Sequence, residues 1–363
     1  MSVSATKSNP RNSGNEVTSR LGLAHPIVQG PFGGGISTAQ LVASVGKAGG
    51  LGSFGAYTFS PSEIESVARD IRALSDRPFA LNLWVSNHDA GGDRLTPEQF
   101  DAAWKIFAPL FAELGLDKPV PPARYFHDFD AQMDAVLEAR PAAFSFVFGI
   151  PKPSILAECS RRGIVTIGAV TTLAEAKAME AAGVDVILAT GFEAAGHRPS
   201  FLGRAEDSLM GTLTLTRLVA ARIKKPVIAA GGIVDRAGIQ AALDLGASAA
   251  QLGTAFLACT ESGTTQEHRD ALFGEPAQRT MLTRTYSGRL ARGIPNRLIE
   301  ALTPVADKLP PFPIEVWFTS PLRRAAAAQG RTDFLALYAG QGAPLLKHRD
   351  VASLMADLTT PTS

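Results

Sequence analysis

Short apolar runs alternate with helical patterns along most of the chain. Eight runs end in glycine or a small polar residue and precede a segment of helical periodicity; they begin at His25, Leu51, Phe79, Phe144, Ile164, Val184, Pro226 and Ala247. Continuous apolar runs are typical of strands buried on both faces, as in parallel sheets. Eight alternations predict a (β/α)8 TIM barrel, and a doubly wound open sheet is the rival because alternation alone does not show closure. We favour the barrel because the eight runs fit within the roughly 250 residues that a barrel occupies.

The spacing of the runs predicts where the chain departs from a minimal barrel. The gaps after the third and sixth runs exceed the length of one helix, and long strand-to-helix connections lie on the C-terminal face, where barrels build their sites. The insertion after strand 3, residues 86–127, contains a predicted helix at 97–114 with Pro97 in its first turn and Thr96 as its cap. We therefore expect a disordered tail over 1–18, a barrel over 19–259 and a C-terminal helical extension over 260–363, packed on the barrel.

Composition and charge exclude several classes of protein. The 363 residues are 45% hydrophobic and 19% charged, with a net charge of +1 and no block of like charges, so neither nucleic acid nor an acidic membrane surface is an expected partner. No run approaches the ~20 apolar residues that span a bilayer. Cys159 and Cys259 are the only cysteines, which favours a reducing compartment, and we expect a cytoplasmic protein. No His, Asp or Glu cluster has the spacing of metal ligands.

Small residues follow the seventh and eighth predicted strands. Gly231 and Gly232 end the run IAAGGI, and Gly253 and Thr254 lie in QLGTAFL. Loops at these two places in barrels often bind a phosphate, because exposed backbone N–H groups can point at an anion. The alternative is that each glycine merely allows a tight turn. We favour the phosphate site because both loops carry the same feature.

His197 is the candidate catalytic group. It lies in GFEAAGHRPSF after the sixth strand, the place where a barrel holds side chains over its mouth, and an imidazole is suited to accept a proton near neutral pH. Glu193 either orients it, binds a cofactor or is a solvated carboxylate, and Arg198 is read as a surface residue. Asn82, in an apolar run, either satisfies the core or contacts the edge of a ligand ring.

Two further segments leave their role open. The glycine run VQGPFGGGIST after the first strand lacks the spacing of a dinucleotide-binding fingerprint but allows a flat group to lie against the backbone. Residues 283–294 hold three arginines together with Ser287. This segment either caps a helix with solvated charges or leans onto the barrel mouth.

Taken together, the motifs resemble those of the nitronate monooxygenase family, formerly called 2-nitropropane dioxygenases, and the C-terminal ones resemble its class I branch. The matching blocks, in order, are VQGPFGGGISTAQLVASVGKAGGLGS, the strand-three Asn82, SFVFGIP, GFEAAGHR, AAGGI, QLGTAFL, SGRLARG and AGQGAP. The resemblance implies an FMN-dependent enzyme with His197 as catalytic base. It also implies an FMN site at Gly30, Pro31, Phe32, Asn82, Thr190, Ala195, Gly196, Gly231, Gly232, Gln251, Gly253 and Thr254.

The reaction implied by the resemblance oxidises an alkyl nitronate, or a nitroalkane, with O2 to a carbonyl compound and nitrite. The chain departs from the family pattern at Thr190, usually Gln, and at Ala195 and Pro199, usually Gly. Family members also carry histidine, aromatic and lysine side chains where this chain has Val147, Phe312, Val316 and Ser320, so we expect a more apolar substrate pocket. The alternatives are an FMN-dependent NAD(P)H:quinone or enoyl reductase and a non-catalytic binder of a phosphate ligand. The sequence leaves a homodimer open.

Overall fold

Eight parallel strands form the centre of the computed structural model, which describes residues 16–360. They are β1 (Ile27–Gln29), β2 (Gly52–Gly55), β3 (Phe79–Trp84), β4 (Ala143–Val147), β5 (Val165–Val170), β6 (Val186–Thr190), β8 (Val227–Ala230) and β9 (Ala249–Leu252). Their order is β1-β9-β8-β6-β5-β4-β3-β2, and a parallel bridge between Val28 and Leu51 joins the two ends. The sheet therefore closes into the predicted barrel, and the open doubly wound sheet is wrong. A two-residue strand, β7 (Gly196–His197), lies outside the barrel.

Helices follow the strands and cover the barrel. Their bounds are α1 (Glu16–Leu21), α2 (Ala39–Lys47), α3 (Pro61–Leu74), α4 (Pro97–Glu113), α5 (Phe129–Ala139), α6 (Pro153–Arg161), α7 (Leu173–Ala181), α8 (Thr212–Arg222), α9 (Arg236–Asp244), α10 (Thr254–Leu257), α11 (Gln266–Phe273), α12 (Arg297–Leu302), α13 (Ile314–Ala328) and α14 (Val351–Thr359). Within residues 16–360 no helix combines the length and apolarity that crossing a bilayer requires.

The insertion helix α4 begins and ends where the sequence predicts. Thr96 caps it, with a reciprocal bond between its backbone N–H and the Gln99 side chain, and Pro97 occupies the first turn. This capping box satisfies backbone donors that the first helical turn leaves unpaired. The local sequence therefore determines where this helix starts, independently of what the helix packs against.

Helix α1 closes one end of the barrel. Val17 and Leu21 are buried among the small and branched side chains of the strands, including Ile167, Leu188 and Ile228. Residues 16–18, which the sequence analysis placed in a disordered tail, are thus helical, because burying two apolar side chains offsets the entropy of ordering the turn. The remainder of the predicted tail lies outside the described residues.

The C-terminal extension is less purely helical than predicted. It contains α11–α14 and also an antiparallel hairpin, β10 (Met281–Thr283) and β11 (Ala291–Gly293). β11 pairs on its other edge with β7. The extension shares an apolar cluster with the insertion, in which Phe107 of α4 stacks on Phe318 of α13 at 4.6 Å. The insertion and the extension thus form one layer over the barrel mouth.

Candidate active site

A cavity of about 700 Å³ lies at the C-terminal ends of the barrel strands. This is the face on which parallel barrels build their sites, because the strand-to-helix loops converge there. Every residue that the sequence analysis placed in a site lines this cavity: Gly30, Pro31, Phe32, Asn82, Thr190, Ala195, Gly196, His197, Gly231, Gly232, Gln251, Gly253 and Thr254. The structure therefore brings together residues that are more than 200 positions apart in the chain.

The glycines after β8 and β9 expose backbone to the cavity. Gly231 and Gly232 have φ of 123° and 69°, a region that side-chain-bearing residues rarely adopt. At Gly253 an added Cβ would meet nothing within 4 Å. The Thr254 hydroxyl accepts a hydrogen bond from the Gly340 amide at 3.0 Å, which fastens the 339–344 segment to this loop. The hydroxyl accepts this bond and keeps its own proton, so the Thr254 O–H and the backbone amides are the donors available to an anion here.

His197 is held by the hairpin of the extension. β7 pairs antiparallel with β11, so that Ala291 faces His197 and Arg292 faces Gly196. The imidazole Nε2 lies 2.7 Å from the Ser287 Oγ, in the turn that joins β10 to β11. Of the two possibilities left open for residues 283–294, contact with the barrel mouth is confirmed.

Burial keeps the His197 imidazole neutral. Desolvation, assisted by the positive charges of Arg289 and Arg323, lowers the pKa of His197 to about 3. Aromatic rings surround it: Trp84 at 4.9 Å, Tyr338 at 5.7 Å and Phe148 at 6.3 Å between ring centroids. A neutral imidazole near two cations can accept a proton while an anion forms beside it, so the surroundings suit a base whose substrate becomes negatively charged.

Arg289 connects the insertion to the histidine turn. Its side chain is 6% exposed, and its guanidinium pairs with the Asp89 carboxylate at 2.7 Å and donates to the Ser86 carbonyl and hydroxyl. It also lies over the rings of Phe148 and Phe312, at 4.2 and 4.1 Å. Burial lowers the pKa of Arg289, while Asp89 opposes the shift. The turn that carries Ser287 is therefore anchored on both sides.

Buried charges fix the loop that carries His197. Arg198 is 1% exposed and donates to the carbonyls of Thr190, Gly191 and Ser208 at 2.7–2.9 Å. The surface assignment of Arg198 is wrong, because three backbone acceptors replace the water that the guanidinium loses. The Glu193 carboxylate accepts from the Thr212 amide and hydroxyl at the start of α8. Glu193 thus caps a helix and holds the loop.

Two side-chain amides near the mouth, of Asn82 and Gln251, have different surroundings. The Asn82 side chain donates to the Ser145 hydroxyl at 3.0 Å and also lines the cavity. Both roles proposed for Asn82, a hydrogen bond within the core and contact with the edge of a ligand ring, are therefore compatible with its position. The Gln251 amide nitrogen lies 3.6 Å from where a Cβ on Gly30 would stand, so these two residues form one edge of the cavity. In residues 16–360 no group of three His, Cys, Asp or Glu residues could hold a metal ion.

The sequence analysis missed several residues of the cavity wall. Tyr57 stacks on Trp84 at 3.9 Å, and Tyr338 stands beside His197. Burial raises the pKa of both phenols, so both are neutral at physiological pH. Trp84 is recognisable from its place at the end of β3, but Tyr338 comes from the extension, outside residues 283–294, and no local pattern indicates that the chain returns to the mouth there.

The chain is similar to known proteins over nearly its whole length. The family model described as nitronate monooxygenase matches residues 15–361. A nitronate monooxygenase of Pseudomonas aeruginosa is 43% identical over 345 residues, covering 94% of this chain and 97% of that protein. The solved nitroalkane oxidase of Streptomyces ansochromogenes superposes with a TM-score of 0.85 at 35% identity, covering 94% and 97% of the two chains. FabK of Thermotoga maritima superposes with a TM-score of 0.72 at 25% identity, covering 94% of each.

Proposed function

The chain belongs to the nitronate monooxygenase family, and on that premise we propose that it binds FMN and uses O2 to convert an alkyl nitronate or a nitroalkane into a carbonyl compound and nitrite. The chain is thus an oxidoreductase that acts on nitronates. The observation that carries the proposal is His197, a neutral imidazole in the wall of a large cavity that is also lined by glycine backbone after β1, β8 and β9.

The cavity has the features that an FMN molecule requires. Its phosphate would lie against the backbone of Gly231, Gly232, Gly253 and Thr254, and at Gly253 an added Cβ would meet nothing within 4 Å. The flat ring would lie along Gly30, Pro31 and Phe32, with the amides of Asn82 and Gln251 at its edge. Thr190, Ala195 and Gly196 complete the wall; at Gly196 an added Cβ would meet nothing within 4 Å.

Bound FMN would supply the one-electron redox chemistry, with O2 as the final acceptor. The chain's own residues perform the proton chemistry. With a neutral nitroalkane, His197 would remove the α-proton, leaving the nitronate anion and an imidazolium. Arg289 and Arg323, the two cations that lower the pKa of His197, favour the anion electrostatically. The aromatic side chains of Trp84 and Phe148 keep water from the reacting carbon.

The experiment that tests this function compares two substrates in one variant. In His197→Asn we expect turnover of nitroethane to fall by roughly 10²–10⁴-fold, the usual contribution of a general base, whereas turnover of the ethyl nitronate, which needs no deprotonation, largely persists. His348→Asn is the control, since His348 pairs with Asp357 away from the cavity. Nitrite formation and O2 consumption are the measurements, on yellow protein that releases FMN on heating.

Two results would contradict the proposal. A colourless protein that cannot be reconstituted with FMN would exclude the cofactor. Rapid anaerobic bleaching by NADH, with nitronates inert, would replace the monooxygenase with an NAD(P)H-dependent reductase on the same barrel. Equal loss of both activities in His197→Asn would remove the proton-transfer role from His197 and leave it a structural one.

We also propose a cytoplasmic location, supported by the two free, buried thiols of Cys159 and Cys259. Burial raises the pKa of Cys159 to about 11, so this thiol is unreactive in the fold.

A homodimer is a further proposal. The side chains of Leu202, Leu209 and Leu213 are 40–66% exposed, and a dimer interface would remove this apolar surface from water. Sedimentation at several protein concentrations tests whether the chain dimerises.

A further inference from the structure

A second cavity of about 340 Å³ adjoins the active-site cavity. The two cavities share six lining residues, so that only side chains separate them: Tyr57, Thr58, Trp84, Val316, Ser320 and Arg324. Its remaining wall comes from the insertion, the start of α5 and the first half of α13. The layer over the barrel mouth therefore encloses a space that continues away from His197.

The boundary between the cavities begins next to the catalytic histidine. Trp84 lies 4.9 Å from the His197 ring and stacks on Tyr57 at 3.9 Å. On the other side, Val316 and Ser320 stand one turn apart on α13, and the Ser320 hydroxyl donates to the Val316 carbonyl at 2.6 Å. Two short side chains, one apolar and one whose hydroxyl is already bonded, leave room between Val316 and Ser320 for a hydrocarbon linker to pass.

The far wall of the second cavity is aromatic. Tyr125 and Trp317 meet edge to face at 5.5 Å, and Phe126 lies beside them. Exposed guanidinium groups of Arg124 and Arg324 stand at the rim, and no Asp or Glu among the described residues lines this cavity. Flat apolar faces favour binding of an aromatic ring, and the nearby guanidinium groups favour a ligand whose net charge is negative.

We propose that the second cavity binds the distal aromatic ring of an arylalkyl nitronate, whose nitronate group lies beside His197. The inference rests on the proposed function, because it assigns the substrate class of the same site. The ring would be buried against Trp317 and Tyr125, and the methylene linker would pass Val316 and Ser320. The apolar space behind the histidine is thereby a determinant of which nitronates the enzyme prefers.

The test is a ratio of specificity constants. We expect kcat/KM for the nitronates of phenyl-substituted nitroalkanes, with two or three carbons between ring and nitro group, to exceed that for ethyl nitronate by about tenfold or more, as burial of a ring implies. Trp317→Ala should reduce the ratio toward one. Trp104→Ala is the matched control, because Trp104 is a half-buried tryptophan of the same apolar cluster that lines neither cavity; it should leave the ratio unchanged.

A binding measurement on the unaltered enzyme supports the kinetics. Phenylpropionate and propionate are unreactive mimics, since a carboxylate is a planar anion with two oxygens like a nitronate. In an equilibrium titration followed by tryptophan fluorescence, we expect phenylpropionate to bind at roughly tenfold lower concentration than propionate, and Tyr125→Leu to weaken that advantage. If Trp317→Ala does not fold, this comparison still tests whether the second cavity binds an aromatic ring.

The outcomes separate this inference from the proposed function. If ethyl nitronate is oxidised but aryl substrates and phenylpropionate show no advantage, the second cavity is not a substrate compartment and the function stands. If the advantage is present but Trp317→Ala and Tyr125→Leu both retain it, the ring binds elsewhere and the proposal is wrong. If no nitronate is oxidised, the function fails, and the phenylpropionate measurement still decides whether the cavity binds an aromatic anion.

Discussion

The Nε2 atom of His197 and the hydroxyl oxygen of Ser287 lie 2.7 Å apart, although the two residues are 90 positions apart in the chain. The same hydroxyl donates to the Arg289 carbonyl at 3.3 Å and accepts from the Arg289 amide. A hydroxyl has one proton. When that proton is directed to the carbonyl, Nε2 must donate, and the ring keeps its lone pair on Nδ1. The direction in which the Ser287 hydroxyl points its proton is therefore coupled to the tautomer of the base.

Removing the Ser287 hydroxyl should weaken the base without removing it. In Ser287→Ala we expect kcat/KM for nitroethane to fall by about tenfold, the value of one hydrogen bond of about 1.4 kcal/mol, with little change for ethyl nitronate. Ser287→Thr, which keeps the hydroxyl, should restore part of the activity. A merely structural role for Ser287 would instead lower both activities together, and nitrite assays with the two substrates distinguish these results.

The low pKa of His197 predicts an unusual pH profile. Because burial and two arginines lower this pKa to about 3, the base stays deprotonated throughout the mildly acidic range. We expect kcat/KM for nitroethane to show no decline near pH 6.5, where an ordinary histidine is protonated. In Arg289→Gln, loss of a nearby positive charge should raise the pKa of His197 and move the acid limb to higher pH, whereas Arg289→Lys should move it less. An inflection near 6.5 in the unaltered enzyme would contradict this account.

The same pKa affects stability, and the sign follows from proton binding. Between pH 6.5 and about 3 the unfolded chain binds a proton at His197 that the folded protein excludes. The free energy of unfolding contributed by this group therefore falls as the pH decreases through that window. Denaturant unfolding of the unaltered protein and of His197→Asn across the window measures it: the difference between the two should shift in favour of the variant as the pH falls.

The barrel was predictable because each of its signals is local. A buried strand and its capped helix lie within about 30 residues of one another, and Thr96 with Gln99 defines the start of α4 from four positions alone. Gly30, Gly231, Gly232 and Gly253 were predictable for the same reason, since each follows the end of a barrel strand. Because barrel sites lie at the C-terminal ends of the strands, the order of the strands then predicted where the site lies.

The residues that hold His197 were not predictable in this way. β7 has two residues and β11 has three, too few to produce an alternation, and their pairing spans almost a hundred positions. Arg198 was assigned to the surface because arginine is seldom fully buried. Its acceptors are backbone carbonyls, which every residue carries, so no side-chain pattern in the sequence indicates that the two terminal nitrogens of the guanidinium have partners.

Gly253 offers a test of the cofactor site that is independent of turnover. An added Cβ at Gly253 would meet nothing within 4 Å and its φ of −100° is accessible to alanine, so Gly253→Ala should fold with an unchanged Tm when FMN is absent. The methyl group would nevertheless project toward the space proposed for the FMN phosphate. We expect FMN affinity to fall about fivefold or more, in line with the 1–3 kcal/mol cost of overpacking.

Gly203→Ala is the control for that measurement. Gly203 also has open space at its Cβ position but does not line the cavity, so neither Tm nor FMN affinity should change. Fluorescence titration of the apoprotein with FMN provides both affinities. Equal FMN affinity in the two variants would place the phosphate away from Gly253.

Arg198 should determine how rigidly the catalytic loop is held. In Arg198→Met the carbonyls of Thr190, Gly191 and Ser208 would lose their donor while remaining buried. Since each unsatisfied buried group costs about 1–3 kcal/mol, we expect the free energy of unfolding to fall by at least about 2 kcal/mol. Residues 199–210 should become sensitive to proteases, and turnover of nitroethane should fall because His197 adjoins the arginine in sequence. Arg217→Met, which removes an exposed arginine from α8, is the control and should change none of these properties. If residues 199–210 resist proteases equally well in Arg198→Met and Arg217→Met, the Glu193 cap at Thr212 suffices to hold the loop.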